Sequence, residues 1–376
     1  MTLHHERFEI RNEVRSLTSF RFLAAFYVFL FHVQIRTSVF GDGLLGGAIA
    51  EGAVGMTMFF CLSGFILSHA YAGMKINVRS YFTNRIARLY PVYFLAAILA
   101  LPWLVKEFYS EAGTTPLAYA LVALCILLVF GFLLIQAWLP QTFVFWNNSA
   151  SWSISVEAFF YSLFPSLRDP IFNLNTKALI FVFALLCLIS SMIAASQIVF
   201  QDSPDSFPLF YALPFFRLPE FVAGIVAYSL MLRLKWTSGL RNLLLFVLFL
   251  GVLHVVLLGP VLPGYTLHNW ILIPAVSAAL VLLLKAEVNG SKLLVGRVMV
   301  WLGQISYCFY SFQFHVLEGL RFMMPPTLNE GSIFLIAAFI LLLVISAFAH
   351  HWVEEPARIW IRKRAKKVQQ LKGSLS

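Results

Sequence analysis

Residues 178–200, ALIFVFALLCLISSMIAASQIVF, run for 23 positions without a charged side chain. At 1.5 Å per residue a helix of this length is about 34 Å long, enough to cross the roughly 30 Å hydrocarbon core of a bilayer. A segment in lipid must satisfy its own backbone polar groups, and a helix does so. This stretch therefore predicts a membrane-spanning helix.

The composition of the whole chain agrees with that prediction. Of its 376 residues, 60% are hydrophobic and 12% are charged, and the mean hydropathy is +0.83. A soluble domain carries about twice that share of charged residues. The net charge of +10 comes from Lys and Arg in short connectors, and no continuous basic face for a nucleic acid is visible. The composition therefore excludes a soluble globular protein and predicts membrane lipids, not nucleic acid, as partners.

Eleven apolar segments occur along the chain, and several are short for a complete crossing. They are 22–35, 54–71, 90–105, 117–139, 154–164, 178–200, 215–232, 243–258, 270–284, 298–320 and 333–348. Connectors rich in Lys and Arg alternate with connectors poor in both. The positive-inside rule therefore places both termini in the cytoplasm, which requires an even number of crossings.

We predict an all-α, polytopic transmembrane bundle with about ten spans and one re-entrant or half-membrane helix. The short segment 154–164 is the natural exception, because such a helix is tolerated where it lines a protein-enclosed cavity. No small-residue cleavage site closes the first segment, which predicts a retained span. We expect one membrane domain over 1–376 in the cytoplasmic (inner) membrane. Residues 1–15 and the basic tail 357–376 are expected in the cytoplasm.

The four cysteines, Cys61, Cys125, Cys187 and Cys308, each stand alone inside an apolar segment. No Cys-x-x-Cys pair and no Cys/His spacing typical of a zinc site occurs. We therefore predict packing roles for them, with no metal site and no disulfide framework.

Two ionisable side chains mark the first apolar segment. Ionisable groups inside a membrane cost at least a few kcal/mol, so each is a candidate functional residue. His32 lies deep in the segment, eleven residues after Arg21. Eleven helical residues make three turns with about 20° left over, so both side chains share one face, roughly 16 Å apart. The alternative is a packed histidine with a snorkelling Arg21.

Arg85 and Arg88 lie one helical turn apart and precede Pro91, which interrupts helical hydrogen bonding. Two arginines at a membrane edge suit a phosphate ligand, because the guanidinium fork binds phosphate oxygens in pairs. Ordinary positive-inside anchoring explains the same residues equally well.

Glu157 is a carboxylate in an apolar segment, flanked by Trp152. Ser153, Glu157 and Tyr161 fall on one helical face, at spacings of four residues. A carboxylate there can orient an imidazole or hold an arginine, and a buried structural ion pair is the alternative.

Other polar residues are interpreted as structural first. Arg217 and Glu220 lie three residues apart on a helix and can neutralise each other. The segment HHWVEEP, residues 350–356, is expected to terminate the last span. Ser63 lies beside Gly64, where small residues allow close helix approach. A nucleophilic role for Ser63 is disfavoured, because the G-x-S-x-G pattern is absent.

Taken in order, these fragments resemble acyltransferase family 3, a family of membrane proteins, over nearly the whole chain. The resemblance rests on RFLAAFYVFLFH (21–32), FFCLSGFILS (59–68), YFTNRIARLYPVYF (81–94), SWSISVEAFFYSLFP (151–165), FFRLPEFVAG (215–224), LGQISYCFYSF (302–312) and VEEPARIW (353–360). Each fragment is weak evidence alone, but seven in order at plausible intervals are a strong signal.

The resemblance implies transfer of an acyl group from cytoplasmic acyl-CoA to a glycan or another acceptor. By position, His32 matches the family's essential histidine, and Glu157 matches its conserved acid. Arg21, Arg85 and Arg88 match cationic positions associated with the donor. The chain departs from the family where Gln313 replaces a common histidine and His315 follows two residues later. Two residues turn a helix by about 200°, so His315 is not a simple substitute.

We therefore predict a membrane O-acyltransferase whose donor is acetyl-CoA or another acyl-CoA and whose acceptor is a glycan or lipid-linked sugar. His32 and Glu157 are the candidate catalytic residues, and three arginines are the candidate donor-binding residues. Ser63, Trp152, Ser153, Tyr161, Arg217 and Glu220 are candidate supporting residues. The alternative is a transporter of an anionic or lipid-linked glycan, against which the absence of internal repeats counts.

Overall fold

The computed structural model describes residues 13–113, 116–143, 145, 151–200, 202–203, 206–259, 261, 269–325, 328 and 331–373. Over these residues the chain forms helices and no β-strand. The predicted all-α class is therefore confirmed.

The helices begin and end as follows, numbered in chain order. They are α1 (Arg15–Thr37), α2 (Leu44–Ala50), α3 (Gly55–Ala70), α4 (Val78–Ala112), α5 (Leu117–Phe132), α6 (Trp152–Asn173), α7 (Thr176–Val199), α8 (Ser206–Ala212), α9 (Pro214–Arg233), α10 (Ser238–Leu257), α11 (Asn269–Val288), α12 (Arg297–Ser311), α13 (Gln313–Met323), α14 (Ser332–Ala349) and α15 (Glu355–Gly373). Short 3₁₀ turns at Gly52–Val54, Gln136–Trp138 and Pro140–Thr142 and a π turn at His350–Glu354 complete the described helical structure.

Eight helical segments of the described chain are long and apolar enough to cross a membrane. They are Arg15–Thr37, Leu44–Ala70, Val78–Ser110, Thr176–Val199, Phe207–Arg233, Ser238–Leu257, Ile271–Val288 and Ser332–Lys367. This confirms the polytopic bundle. Helix α5, with 16 residues, is shorter than these segments, and the total of ten crossings remains a prediction.

Burial separates the central helices from the lipid-facing ones. The apolar windows of Leu44–Ala70 and Phe207–Arg233 are 72% buried, whereas that of Ser238–Leu257 is 11% buried. The first two segments therefore lie inside the bundle and the third faces lipid. Helices α3 and α9 cross so closely that neither glycine at the contact has space for a side chain. A Cβ atom on Gly64 would overlap the carbonyl oxygen of Phe221, and one on Gly224 would overlap that of Cys61. Small residues at both positions permit this contact.

The helix that carries Glu157 is longer than the sequence predicted. Helix α6 has 22 residues, about 33 Å of helix, but it is not among the segments that are long and apolar enough to cross a membrane. The partial crossing therefore remains a prediction. Helix α6 continues beyond the apolar segment because the charged side chain of Arg168 finds hydrogen-bond acceptors and a carboxylate partner there. Arg168 donates to the carbonyl oxygens of Tyr71 and Met74 at 2.6 and 3.0 Å and pairs with Asp169 at 2.7 Å.

Two other sequence boundaries are corrected by the structure. The segment 298–320 is not one helix, because the chain breaks at Phe312 between α12 and α13. The expected stop at residues 350–356 is also wrong, since the helix continues through the π turn into α15. A π turn shifts the hydrogen-bond register by one residue. Pro356 follows it as the second residue of α15 and has no N–H to donate to the preceding turn.

Candidate active site

A cationic cavity lies among α1, α3, α4, α6 and α12, and we call it the arginine cavity. Its charged lining is Arg21 from α1, Arg85 and Arg88 from α4, and Glu157 from α6. The other polar lining residues are Ser63, Ser153, Tyr161, Ser306, Tyr307 and Tyr310. The four charged residues that the sequence predicted for donor binding and acid chemistry therefore meet in this cavity. His32, the other predicted catalytic residue, does not line it.

Glu157 is held by two hydroxyl groups. Ser63 Oγ donates to its Oε1 at 3.0 Å, and the Tyr161 hydroxyl donates to the same oxygen. Ser153, one turn before Glu157, hydrogen-bonds through Oγ to the Tyr310 hydroxyl at 2.7 Å. The helical face predicted for Ser153, Glu157 and Tyr161 is thus the face that α6 turns toward the cavity.

The arginine cavity carries an excess of positive charge. Within the described part of the chain, neither Arg21, Arg85 nor Arg88 forms an ion pair. The Arg85 guanidinium lies over the ring of Tyr161, 5.5 Å from its centroid, and its buried Nε–H has no hydrogen-bond partner there. Guanidinium groups held this way are prepared to bind an anion with phosphate oxygens.

A further cation stands near this site that sequence reasoning missed. Helix α15 packs along α4, and its Arg362 lies close enough to Arg85 and Arg88 for their charges to interact. The sequence predicted only a basic tail at this point. Its helical continuation and its packing on α4 are tertiary features that no local pattern reveals.

His32 lines a second, larger cavity, which we call the histidine cavity. Its volume is about 340 Å³, against about 70 Å³ for the arginine cavity. Arg36, Glu318 and Arg321 supply its other charged groups. Its aromatic lining is Phe31, Phe143, Trp152, Phe207, Tyr211 and Tyr310.

Arg36 is the immediate partner of His32. Its Nη1 lies 3.3 Å from His32 Nδ1 and donates to the His32 carbonyl oxygen at 3.0 Å, while its Nε pairs with Glu318 at 3.1 Å. Sequence reasoning missed both partners. The four-residue spacing of His32 and Arg36 on one helical face could have indicated the first, but no sequence signal connects Glu318 to α1.

The two cavities adjoin. Met56 and Tyr310 line both of them. Arg21 lines the arginine cavity and His32 lines the histidine cavity, so the shared face of α1 borders both cavities. Glu157 does not contact His32, because its hydrogen bonds are to Ser63 and Tyr161 in the arginine cavity, whereas Arg36 occupies the position beside the imidazole.

Arg217 and Glu220 form the ion pair that their spacing predicts. Arg217 Nε lies 3.1 Å from Glu220 Oε2, and both side chains are 1% exposed. Thr57 donates to Glu220 Oε1 at 3.0 Å, and the Arg217 guanidinium lies over the rings of Phe60 and Tyr211. Since Tyr211 lines the histidine cavity, the pair supports a wall of that cavity.

Gln313 and His315 line neither cavity. Gln313 Nε2 donates to the carbonyl oxygen of Ala25 at 3.0 Å, and His315 Nε2 donates to that of Ala96 at 2.9 Å. The two side chains thus bind different helices, as the 200° rotation between them predicts.

Comparison with known proteins identifies the family. A family model described as an acyltransferase domain matches residues 14–351. The chain belongs to acyltransferase family 3. All residues of both cavities fall within the match, whereas the fragment VEEPARIW lies beyond it. Family membership favours acyl transfer over glycan transport.

Two curated relatives carry names of the same kind. The chain is 30% identical over 375 residues to "Acyltransferase MdmB" of Streptomyces mycarofaciens, covering 93% of this chain and 92% of the relative. It is 26% identical over 298 residues to "Putative acetyltransferase ORF330" of Acidianus two-tailed virus, covering 79% and 80%. No solved structure shows a significant match.

Proposed function

We propose that this membrane acyltransferase moves an acyl group, most simply acetyl, from cytoplasmic acyl-CoA to a hydroxyl group of a carbohydrate. The observation that carries the proposal is the pair of adjoining cavities. One holds three arginines that form no ion pair in the described chain, and the other holds an intramembrane histidine. One cavity suits an anionic donor and the other suits an acceptor.

The phosphate groups of CoA bind Arg85, Arg88 and Arg21 in this proposal. Arginine recognises phosphate through paired hydrogen bonds, and such charge-assisted bonds are stronger than neutral ones. Glu157 balances part of the positive charge, which keeps the guanidinium groups together before the donor arrives. Both termini lie on the cytoplasmic side in the predicted topology, so the tail helix with Arg362 stands where acyl-CoA is available.

His32 acts as the general base on the acceptor hydroxyl. It removes the hydroxyl proton while the oxygen attacks the thioester carbonyl; the carbon–sulfur bond breaks, an ester forms, and the CoA thiolate regains a proton from the imidazolium. The 3.3 Å contact from Arg36 to Nδ1 is longer than an ordinary hydrogen bond. A hydroxyl can therefore displace it while Arg36 stays bound to Glu318.

The histidine cavity supplies the features that a carbohydrate acceptor requires. Trp152 and Tyr211 pack against each other in its wall, with their ring centroids 4.7 Å apart, and Glu318 and Arg321 line the same cavity. Aromatic side chains combine an apolar face with a polar edge, which suits the mixed surface of a sugar. A glycan or lipid-linked sugar is the acceptor class that we propose.

Transfer of radiolabelled acetyl from acetyl-CoA, measured in membranes that contain the protein, tests this function. We expect His32→Ala to lower the rate by about 10²- to 10⁴-fold, the contribution of a general base. His315→Ala is the matched control, because it removes another membrane-embedded histidine that lines neither cavity. Undiminished transfer by His32→Ala at normal expression would remove His32 from the chemistry. A transporter would leave acetyl-CoA unconsumed.

Mass spectrometry of surface glycans from cells with and without the protein identifies the acceptor. We expect one class of glycan to lose the mass of an acetyl group when the protein is absent. Identical glycan masses in both cells would contradict the carbohydrate acceptor.

A further inference from the structure

Three metal-ligating side chains meet outside both cavities. Cys308 of α12 approaches His350 and Glu354 of the π turn, and one ligand atom from each lies within 4.8 Å of the other two. His350 Nδ1 lies 2.8 Å from Glu354 Oε2, and Cys308 Sγ donates to the same oxygen at 3.4 Å. Cys308 and Glu354 are buried at 0% and 4% exposure.

The π turn carries two of these three side chains. His350 and Glu354 are four residues apart, so one helical face presents both toward α12. Their neighbours of the same type do not join them, since His351 is exposed and Glu355 pairs with Arg358 at 3.8 Å. π turns occur frequently at functional sites. The sequence thus has two consecutive histidines and two consecutive glutamates here, and only the first of each pair faces Cys308.

We propose that Cys308, His350 and Glu354 bind a zinc ion. Thiolate sulfur, imidazole nitrogen and carboxylate oxygen are all zinc ligands. One thiolate and one carboxylate cancel the charge of Zn²⁺, so the occupied site is neutral, which matters in surroundings of low dielectric. On binding, Cys308 releases its thiol proton and Nδ1 of His350 carries none.

The observed separations fit tetrahedral zinc after small side-chain shifts. Ligands about 2.0–2.3 Å from zinc lie roughly 3.3–3.8 Å from one another in a tetrahedron. The 3.4 Å contact lies within that range, and the 2.8 Å contact must lengthen by about 0.5 Å to reach it. Three protein ligands leave one coordination position for water or another donor.

The site lies behind the arginine cavity. Tyr307, next to Cys308, lines that cavity, and its hydroxyl donates to the carbonyl oxygen of Leu89 at 2.8 Å, beside Arg88. Zinc would therefore fix α12 to the last helix at the back of the proposed donor site. This inference concerns metal binding and does not depend on the proposed function.

Cobalt substitution tests the site directly. The purified full chain in detergent, carrying a tag without histidines and treated with a chelator, is titrated with Co²⁺ and then with Zn²⁺. We expect about one equivalent of Co²⁺ to produce a thiolate-to-cobalt charge-transfer band that Zn²⁺ abolishes. A chain that binds neither ion, or binds Co²⁺ without the thiolate band, overturns the proposal and leaves a hydrogen-bonded cluster.

The duplicated residues provide matched controls. We expect Cys308→Ser, His350→Ala and Glu354→Gln each to weaken zinc binding at least about tenfold. The controls change the same residue types outside the cluster: the neighbouring residues in His351→Ala and Glu355→Gln, and an exposed cysteine in Cys125→Ser. We expect these three substitutions to leave zinc binding unchanged. Equal losses in both sets overturn the site. Size-exclusion profiles confirm folding, and the wild-type cobalt titration decides the question even where a variant fails to fold.

Discussion

At the scale of single residues, the same side-chain type serves different purposes in different places. Arg85 and Arg88 face a cavity, Arg168 caps the carbonyl oxygens of a neighbouring turn, and Arg217 is paired with Glu220. Of these four, only Arg85 and Arg88 line one of the two cavities and form no ion pair with a carboxylate of the described chain. Sequence spacing could not distinguish donor-binding arginines from anchoring ones, because that difference lies in their partners.

Arg88→Gln tests the donor role. We expect the KM for acyl-CoA to rise by about tenfold to a hundredfold, with a smaller change in kcat, since a charge-assisted hydrogen bond contributes about 1.5–3 kcal/mol. Arg79→Gln is the control, because Arg79 lies on the same helix but is exposed and lines neither cavity. Steady-state kinetics in membranes provide the measurement. Equal effects of the two substitutions would support simple anchoring.

Glu220→Gln tests the buried ion pair. We expect it to lower the free energy of unfolding by about 3–5 kcal/mol, because Arg217 would remain buried as an unpaired charge. Glu355→Gln removes the partly exposed pair with Arg358 and should change stability by less than about 1 kcal/mol. Thermal unfolding of the purified variants in detergent compares them. Coincident melting curves would argue against a structural role for the buried pair.

At the scale of helices, the crossing of α3 and α9 positions much of the site. Helix α3 contributes Met56 and Ser63 to the arginine cavity, and α9 carries Arg217 and Glu220 beneath the histidine cavity. A close crossing of two backbones leaves no space for even one methyl group.

Gly64→Ala and Gly224→Ala should each destabilise the protein by about 1–3 kcal/mol, because the added methyl groups must displace carbonyl oxygens across the contact. Gly319→Ala is the control, since the nearest atom to its new methyl group is Met323 Cε at 3.9 Å. Melting temperatures of the three variants provide the comparison. A Gly64→Ala protein as stable as Gly319→Ala would show that the helices can separate without cost.

Three helix boundaries could not be predicted because each depends on distant partners. Helix α6 extends past its apolar segment because Arg168 finds carbonyl acceptors at Tyr71 and Met74. The break at Phe312 leaves no hydropathy signal. At the π turn the hydropathy falls, which predicts a helix end where the helix in fact continues into α15. Hydropathy detects burial in lipid, whereas hydrogen-bond register depends on what each helix packs against.

At the scale of the whole molecule, the arginine and histidine cavities lie at opposite ends of α1. Arg21 is near the start of the helix and His32 near its end, which separates them by roughly 16 Å along the axis. That separation fits the transfer that we propose, from a donor on one side of the membrane toward an acceptor deeper in it or beyond it.

Topology reporters test the proposed orientation. With both termini in the cytoplasm, alkaline phosphatase fused after residue 373 should be inactive and a fluorescent protein at the same place should be bright. The expectation follows from the excess of Lys and Arg in alternate connectors and in the tail. Fusions within 40–43, between α1 and α2, should give the reverse pattern. An active phosphatase at the C-terminus would reverse the assignment of the donor side.

The sequence by itself determined the fold class, the membrane environment and the identity of the charged residues that meet in the arginine cavity. It could do so because long apolar runs and intramembrane charges are local features with large energetic consequences. Only the tertiary structure decided that His32 and Glu157 belong to different cavities, that Arg36 and Glu318 accompany His32, and that Cys308 meets His350 and Glu354. Those arrangements depend on how separate helices pack, and a contact between residues far apart in the chain has no periodicity to reveal it.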